Sequence, residues 1–263
     1  MQKTSQSYSI RTYSYGSLDS QEGDLYLPQV SRPPVLCLLH GGFWRMPYNR
    51  DELNSIAKDL AARGYAVWNV EYRRLGAPGG GWPGTLHDVA SAIDHLATLV
   101  TDGIELDLNR VIVAGHSAGG HLALWSAARN KPANISSLVR VQPIAAAGLA
   151  AITDLARMCE LNAGRCAVNE FLGGRPSQYP DRYRAASPIE LLPLGVRQLI
   201  IHGVKDEELP IDLSRSYAIA AQASGDCVEF VELPDAGHME FLDPSSKAHL
   251  SFCEWLASQV ITV

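Results

Sequence analysis

The stretch V-I-V-A-G-H-S-A-G-G-H-L-A (111–123) decides how this chain is read. Its opening residues are apolar and mostly β-branched, the pattern of a buried strand. From His116 onward it turns alanine-rich and reads as a helix. At the corner, Ser117 has glycine two residues away on each side, at Gly115 and Gly119. Side chains at those two positions of a sharp strand-to-helix turn would strike the neighbouring strand and helix. Glycine removes the collision and leaves the serine oxygen presented at the top of a sheet. Composition alone yields G-x-S-x-G in roughly one chain of this length in ten. A glycine-rich helix start with a capping serine would look the same. The position between a strand and a helix is what favours a nucleophile.

The alternation of strand and helix continues in both directions. Short apolar runs at 35–39, 65–70, 110–114, 138–146, 198–202 and 228–233 read as strands. Helical spacing appears at 51–63, 85–99, 116–129, 211–223 and 244–260, with Gly64 placed to stop the first. This order predicts an α/β fold, a mostly parallel sheet with helices on both faces. The more polar segments 8–14 and 24–28 fit an antiparallel edge pair. The weakly patterned residues 143–193 are too many for a bare loop and are expected to form a small helical cap within one domain, 1–263.

Ligands of open α/β sheets bind beyond the carboxyl ends of the strands. The segments found there are His40-Gly41-Gly42-Phe43-Trp44, the Ser117 corner, His202 to Asp206, and Pro234 to His238. Together they offer a serine, an acid and a histidine in that chain order. A serine hydroxyl needs a base within reach, and His238, in a Gly-His turn, is the choice. Asp206 is the acid that would orient the imidazole, with Glu207 and Glu208 less favoured. Oxyanion donors are expected from the Ala118 N–H and the Gly41-Gly42-Phe43 turn, where glycine lets backbone approach substrate. Trp44, His116 and Phe171 are expected to wall the pocket, Trp44 with equal claim to the core. Asn169, Glu170 and Phe171 of the cap are expected to help choose the substrate. His202 is expected to pack beneath the site, and His40 to fix its loop.

These motifs resemble the α/β-hydrolase superfamily. H-G-G-F-W at 40–44 is similar to the H-G-G-x-W form of its lipase and esterase oxyanion motif, and G-H-S-A-G-G-H-L-A at 115–123 to its nucleophile elbow. E-Y-R-R-L at 71–75 and H-G-V-K-D at 202–206 resemble its Y-R-L element and acid loop. Within the superfamily the pattern resembles arylformamidases (kynurenine formamidases) and small carboxylesterases. The resemblance implies a triad of Ser117, Asp206 and His238, with oxyanion donors at Gly42, Phe43 and Ala118. It implies cleavage of a small ester or an aryl formamide such as N-formylkynurenine, with no cofactor and no metal. A peptidase and a non-catalytic small-molecule receptor are the alternatives on this fold. Arg74 and the run Gly79-Gly80-Gly81 depart from the pattern and bear on the substrate.

The net charge of -6 and the lack of a basic run argue against nucleic acid as a partner. No apolar stretch is long enough to span a membrane. The polar first residues lack a secretory signal, which leads to the expectation of a cytoplasmic protein acting on small molecules. A homodimer is left open. The five scattered cysteines suggest buried thiols, with Cys159 and Cys166 the one pair that could approach.

Overall fold

The computed structural model describes residues 8–129, 139–162, 164 and 166–260. Among the described residues, eight strands form one sheet: β1 (Tyr8–Ser14), β2 (Glu22–Pro28), β3 (Pro34–Leu39), β4 (Ala66–Val70), β5 (Asp107–His116), β6 (Ala145–Leu149), β7 (Arg197–Gly203) and β8 (Val228–Leu233). Their spatial order is β1-β2-β4-β3-β5-β6-β7-β8. The pairs β1–β2 and β2–β4 are antiparallel and all others parallel. The expected antiparallel edge pair is therefore present.

The helices are α1 (Asn54–Ala62), α2 (Gly84–Thr101), α3 (Ala118–Ala127), α4 (Leu155–Glu160), α5 (Ala167–Leu172), α6 (Pro180–Ala186), α7 (Asp212–Ala223) and α8 (Lys247–Val260). Successive strand residues face opposite sides of a sheet, and the core divides accordingly. Val35, Cys37 and Leu39 of β3 pack with α2, α3 and α7 on one face. Leu36 and Leu38 pack with α1 and α8 on the other. Strands buried on both faces account for the unbroken apolar runs in the sequence.

Two expectations shift. The fourth parallel strand, read at 138–146, lies at Ala145–Leu149, and residue 138 falls outside the described residues. The inserted segment read as 143–193 accordingly begins with a central strand, and its helices α4, α5 and α6 follow that strand. The helix read from 116 starts at Ala118, because His116 still belongs to β5.

Register brings the site together. Leu39 of β3 lies beside Gly115 of β5, and His116 beside Leu149 of β6. Gly203 of β7 pairs with Leu233 of β8. The loops leaving β3, β5, β7 and β8 therefore emerge on one edge, the carboxyl edge.

Candidate active site

Ser117 sits at the corner between β5 and α3 with φ 56° and ψ −118°, a conformation that L-residues adopt only when their surroundings impose it. The surroundings are backbone. A Cβ on Gly119 would lie 1.9 Å from the Leu39 carbonyl oxygen, and one on Gly115 would lie 2.2 Å from the Gly119 carbonyl oxygen. The Ser117 N–H donates to the Leu149 carbonyl at 2.9 Å, which ties the corner to β6.

The loop after β3 continues in the left-handed region for three residues, with φ of 89° at Gly42, 52° at Phe43 and 57° at Trp44. A Cβ on Gly42 would also sit 2.3 Å from the Tyr48 side chain, so glycine is needed there for two reasons. Gly41 packs against the corner, its hypothetical Cβ 3.3 Å from Ser117 Cβ. Among the described residues, the N–H groups of Gly42, Phe43 and Ala118 donate to no backbone carbonyl.

Glu71, just past β4, organises this loop. Its Oε1 lies 3.0 Å from His40 Nε2 and accepts the Tyr72 N–H at 3.0 Å, while Oε2 accepts the Arg50 N–H at 3.2 Å. Burial alone would raise the Glu71 pKa, but His40, Arg74 and the Tyr72 N–H outweigh it and keep the carboxyl below its usual value. The His40 ring stacks on Tyr72 at 4.2 Å, and the Tyr72 hydroxyl donates to the His40 carbonyl at 2.7 Å. Arg74, the departure noted in the sequence, lies 3.3 Å from Glu71 and donates to the Tyr48 carbonyl. It braces the far end of the same loop. The adjacent glycines follow from close packing, since a Cβ on Gly80 would meet the Arg74 carbonyl at 1.9 Å.

Asp206 and His238 meet at 2.6 Å between Oδ2 and Nδ1. With Nδ1–H donating to the carboxylate, Nε2 is the free base. His202 is closer to the chemistry than its expected role beneath the site. Its Nε2 lies 3.0 Å from the same Asp206 Oδ2, and its Nδ1 lies 2.7 Å from the Ser214 hydroxyl. Asp206 Oδ1 accepts the N–H groups of Glu208 at 2.9 Å and Leu209 at 2.8 Å. Burial works against ionisation of Asp206, but the two imidazoles and the Leu209 N–H hold its pKa far below the usual carboxylate range.

Ser117 and His238 open onto one cavity of about 200 Å³, lined also by Gly42, Phe43, Tyr48 and His116. No hydrogen bond joins the Ser117 hydroxyl to the imidazole in this state; unliganded sites often close such contacts only when substrate binds. His116 is buried, and its Nε2–H donates to the His238 carbonyl at 2.8 Å. Desolvation, aided by the His238 charge, lowers its pKa to about 3, so it is a neutral brace for the histidine loop.

Phe171 is placed differently from the pocket expectation, and of the two places open to Trp44 it takes the core.

 Trp44 is fully buried, stacked on Phe171 with ring centroids 4.4 Å apart and set edge-on to His121 at 5.1 Å. Neither aromatic lines the cavity beside Ser117; both belong to the core. Only Phe43 of the two aromatics after the glycine turn faces the cavity. In the helical segment after β6, Asn169 bonds to Cys159 and to the Tyr183 hydroxyl, and Glu170 pairs with Arg45 at 2.8 Å. Cys159 and Cys166 are free thiols with different asparagine partners, Asn169 and Asn162. Sequence reasoning missed Glu52 and weighed Glu208 only as a less favoured acid; both line the cavity. Burial, with the Glu71 charge, raises the Glu52 pKa. Nothing in the sequence places either glutamate at the cavity, because each reaches it through the path of the chain around it.

Residues 23–220 match the BD-FAE family. The chain belongs to that family. It is 30% identical to esterase LipC of Mycobacterium tuberculosis over 219 residues, 78% of this chain and 52% of that protein. It is 29% identical to kynurenine formamidase avaC of Aspergillus versicolor over 226 residues, 72% of this chain and 76% of that protein. The chain spans about half the length of LipC and of the related esterase LipQ. Among solved structures, a truncated carbohydrate esterase from gut microbiota superposes with a TM-score of 0.83 at 22% identity, covering 97% of this chain and 98% of that one. Esterase B from Lactobacillus rhamnosis superposes with a TM-score of 0.81 at 20% identity, covering 97% and 86%. The fold is that of the α/β-hydrolases, and the family lies in their esterase and arylformamidase branch. Among the described residues no helix is long and apolar enough to cross a membrane.

Proposed function

We propose that the chain is a serine hydrolase that cleaves a small carboxylic ester through an acyl-enzyme on Ser117. The observation that carries this reading is the 2.6 Å contact between Asp206 and His238 beside the cavity that Ser117 helps to line. His238 Nε2 takes the Ser117 proton as the oxygen attacks the substrate carbonyl carbon. Asp206 stabilises the resulting imidazolium and fixes its orientation. The tetrahedral oxyanion is received by the N–H groups of Gly42, Phe43 and Ala118, the last reinforced by the amino end of α3. His238 then protonates the leaving alcohol. Water repeats the sequence to release the acid and restore the serine.

The cavity favours esters over formamides of amino acids. Its charged lining is Glu52 and Glu208, with neither lysine nor arginine. N-formylkynurenine carries a carboxylate and an ammonium; this lining offers partners to the ammonium and none to the carboxylate, whereas a neutral ester needs neither. A larger groove of about 960 Å³ shares Phe43, Tyr48 and Glu208 with the cavity and gives room for a bulkier alcohol group.

The test is turnover of short-chain p-nitrophenyl esters by the wild type and by Ser117→Ala. The variant should lose on the order of 10³-fold or more in kcat/KM, and a fluorophosphonate probe should label the wild type alone. Equal rates would overturn the assignment of the nucleophile. A higher kcat/KM for N-formylkynurenine than for any neutral ester would overturn the substrate class while leaving the mechanism in place.

A further inference from the structure

Three side chains of metal-binding type converge between α1 and α8, and none of them lines the catalytic cavity. His249 and Cys253 are four residues apart on α8, hence on one helical face. Asp59 comes from α1, 190 residues earlier. Asp59 Oδ2 lies 2.8 Å from His249 Nε2, Cys253 Sγ lies 3.3 Å from that same nitrogen, and the sulfur and oxygen are 4.0 Å apart.

In a proton relay the carboxylate and the thiol would take opposite ring nitrogens. Here both converge on Nε2, while Nδ1 is buried without a hydrogen-bond partner. Donors gathered round one point are the arrangement of a coordination shell. A tetrahedral zinc ion, about 2.0–2.1 Å from nitrogen and oxygen and about 2.3 Å from sulfur, needs its ligand atoms roughly 3.3–3.6 Å apart. Each observed separation is within about 0.5 Å of that range. His249 and Cys253 are buried on a rigid helix. The Asp59 side chain is 27% exposed, which provides a path for entry and a fourth position for water.

We infer that Asp59, His249 and Cys253 form a zinc-type metal site that ties α8 to α1. Binding places Zn²⁺ on Asp59 Oδ2, His249 Nε2 and the Cys253 thiolate. The thiol proton leaves to solvent, and the single ring proton of His249, which faces the Asp59 carboxylate from Nε2 before the ion enters, shifts to Nδ1. One group competes with the metal. Arg63 Nε is 2.6 Å from Asp59 Oδ2, and its Nη2 is 3.5 Å from Oδ1. The guanidinium, 40% exposed, must move onto Oδ1 when the ion enters.

The full chain, stripped of metal by chelator, is titrated with Co²⁺ while the thiolate-to-cobalt charge-transfer band is followed in the near ultraviolet. Zn²⁺ affinity is then read by competition with a chromophoric chelator. The expected result is one Co²⁺ per chain with that band, displaced by Zn²⁺, and a Tm that rises with Zn²⁺ concentration. Cys253→Ser should abolish the band, whereas Cys166→Ser and Cys227→Ser, at the two exposed thiols, should leave it intact. Arg63→Gln should tighten binding. No band at saturating Co²⁺, or a band that survives Cys253→Ser, would overturn the inference. If Cys253→Ser does not fold, Asp59→Asn decides. It alters a partly exposed ligand and should weaken Zn²⁺ by about tenfold or more; unchanged affinity would overturn the site equally.

Discussion

Acidification should destabilise this protein through two buried imidazoles, and His121 is the one to remove. His121 is fully buried; its Nε2–H donates to the Ala186 carbonyl at 2.9 Å, and its Nδ1 has no partner. Desolvation lowers its pKa to about 4, and His116 is lowered in the same way to about 3. In the unfolded chain each titrates near about 6.5. The unfolded state therefore binds more protons below that pH. The contribution of each ring to stability is complete above about 6.5 and is lost as the pH falls toward the folded-state value. At about pH 5 the loss is roughly 2 kcal/mol per histidine, or roughly 4 kcal/mol for the pair. That is a large part of the about 5–15 kcal/mol that holds an ordinary domain folded. The perturbation is His121→Gln, whose amide can still donate to Ala186. Urea unfolding measured at about pH 7.5 and about pH 5 gives the stability difference for each protein. The wild-type difference should exceed that of the variant by about 2 kcal/mol. Identical differences in the two proteins would refute the claim that a neutral, desolvated imidazole at 121 is a source of acid sensitivity.

Three further outcomes are expected. Gly119→Ala drives a Cβ into the Leu39 carbonyl, which cannot rotate away; the cost is about 3 kcal/mol and a Tm lower by roughly 10 °C, checked by calorimetry. Asp206→Asn keeps the shape of the acid loop but removes the charge facing His238 and His202. It should lower kcat on the order of 10³- to 10⁴-fold with little change in KM, measured on a neutral ester. Glu71→Gln weakens the hold on His40 and Arg74, which should reduce kcat about tenfold or more through the oxyanion loop; kcat at the wild-type level would show that the loop holds its shape without this charge.

Much of the architecture could be read from the chain because it rests on local rules. Strands buried on both faces leave unbroken apolar runs, and the Ser117 corner leaves its glycines because their neighbours are backbone atoms. The fourth parallel strand was misplaced for a physical reason. Its sequence A-A-A-G-L reads as a helix or as nothing, yet the small residues are what let α3 pack closely: a Cβ on Gly148 would already touch Leu124. The sequence left core and pocket equally open for Trp44, since side-chain direction after a run of left-handed residues follows no period. Glu71 and His202 appear within quoted motifs, but their partners depend on register between strands. Glu71 reaches His40 across 31 residues of sequence, a distance over which periodicity carries no information.

The left-handed run from Gly42 to Trp44 has a consequence for anyone reshaping this site. Two of its three residues are not glycine, and such conformations revert to ordinary ones unless something prevents it, at roughly 1–3 kcal/mol each. The indole of Trp44, wedged between Phe171 and His121, is the peg that prevents it here. Trimming that indole to widen the interior would slacken the hairpin of amides above it. Breadth of substrate acceptance and speed of turnover are mechanically linked at a position that never meets the substrate.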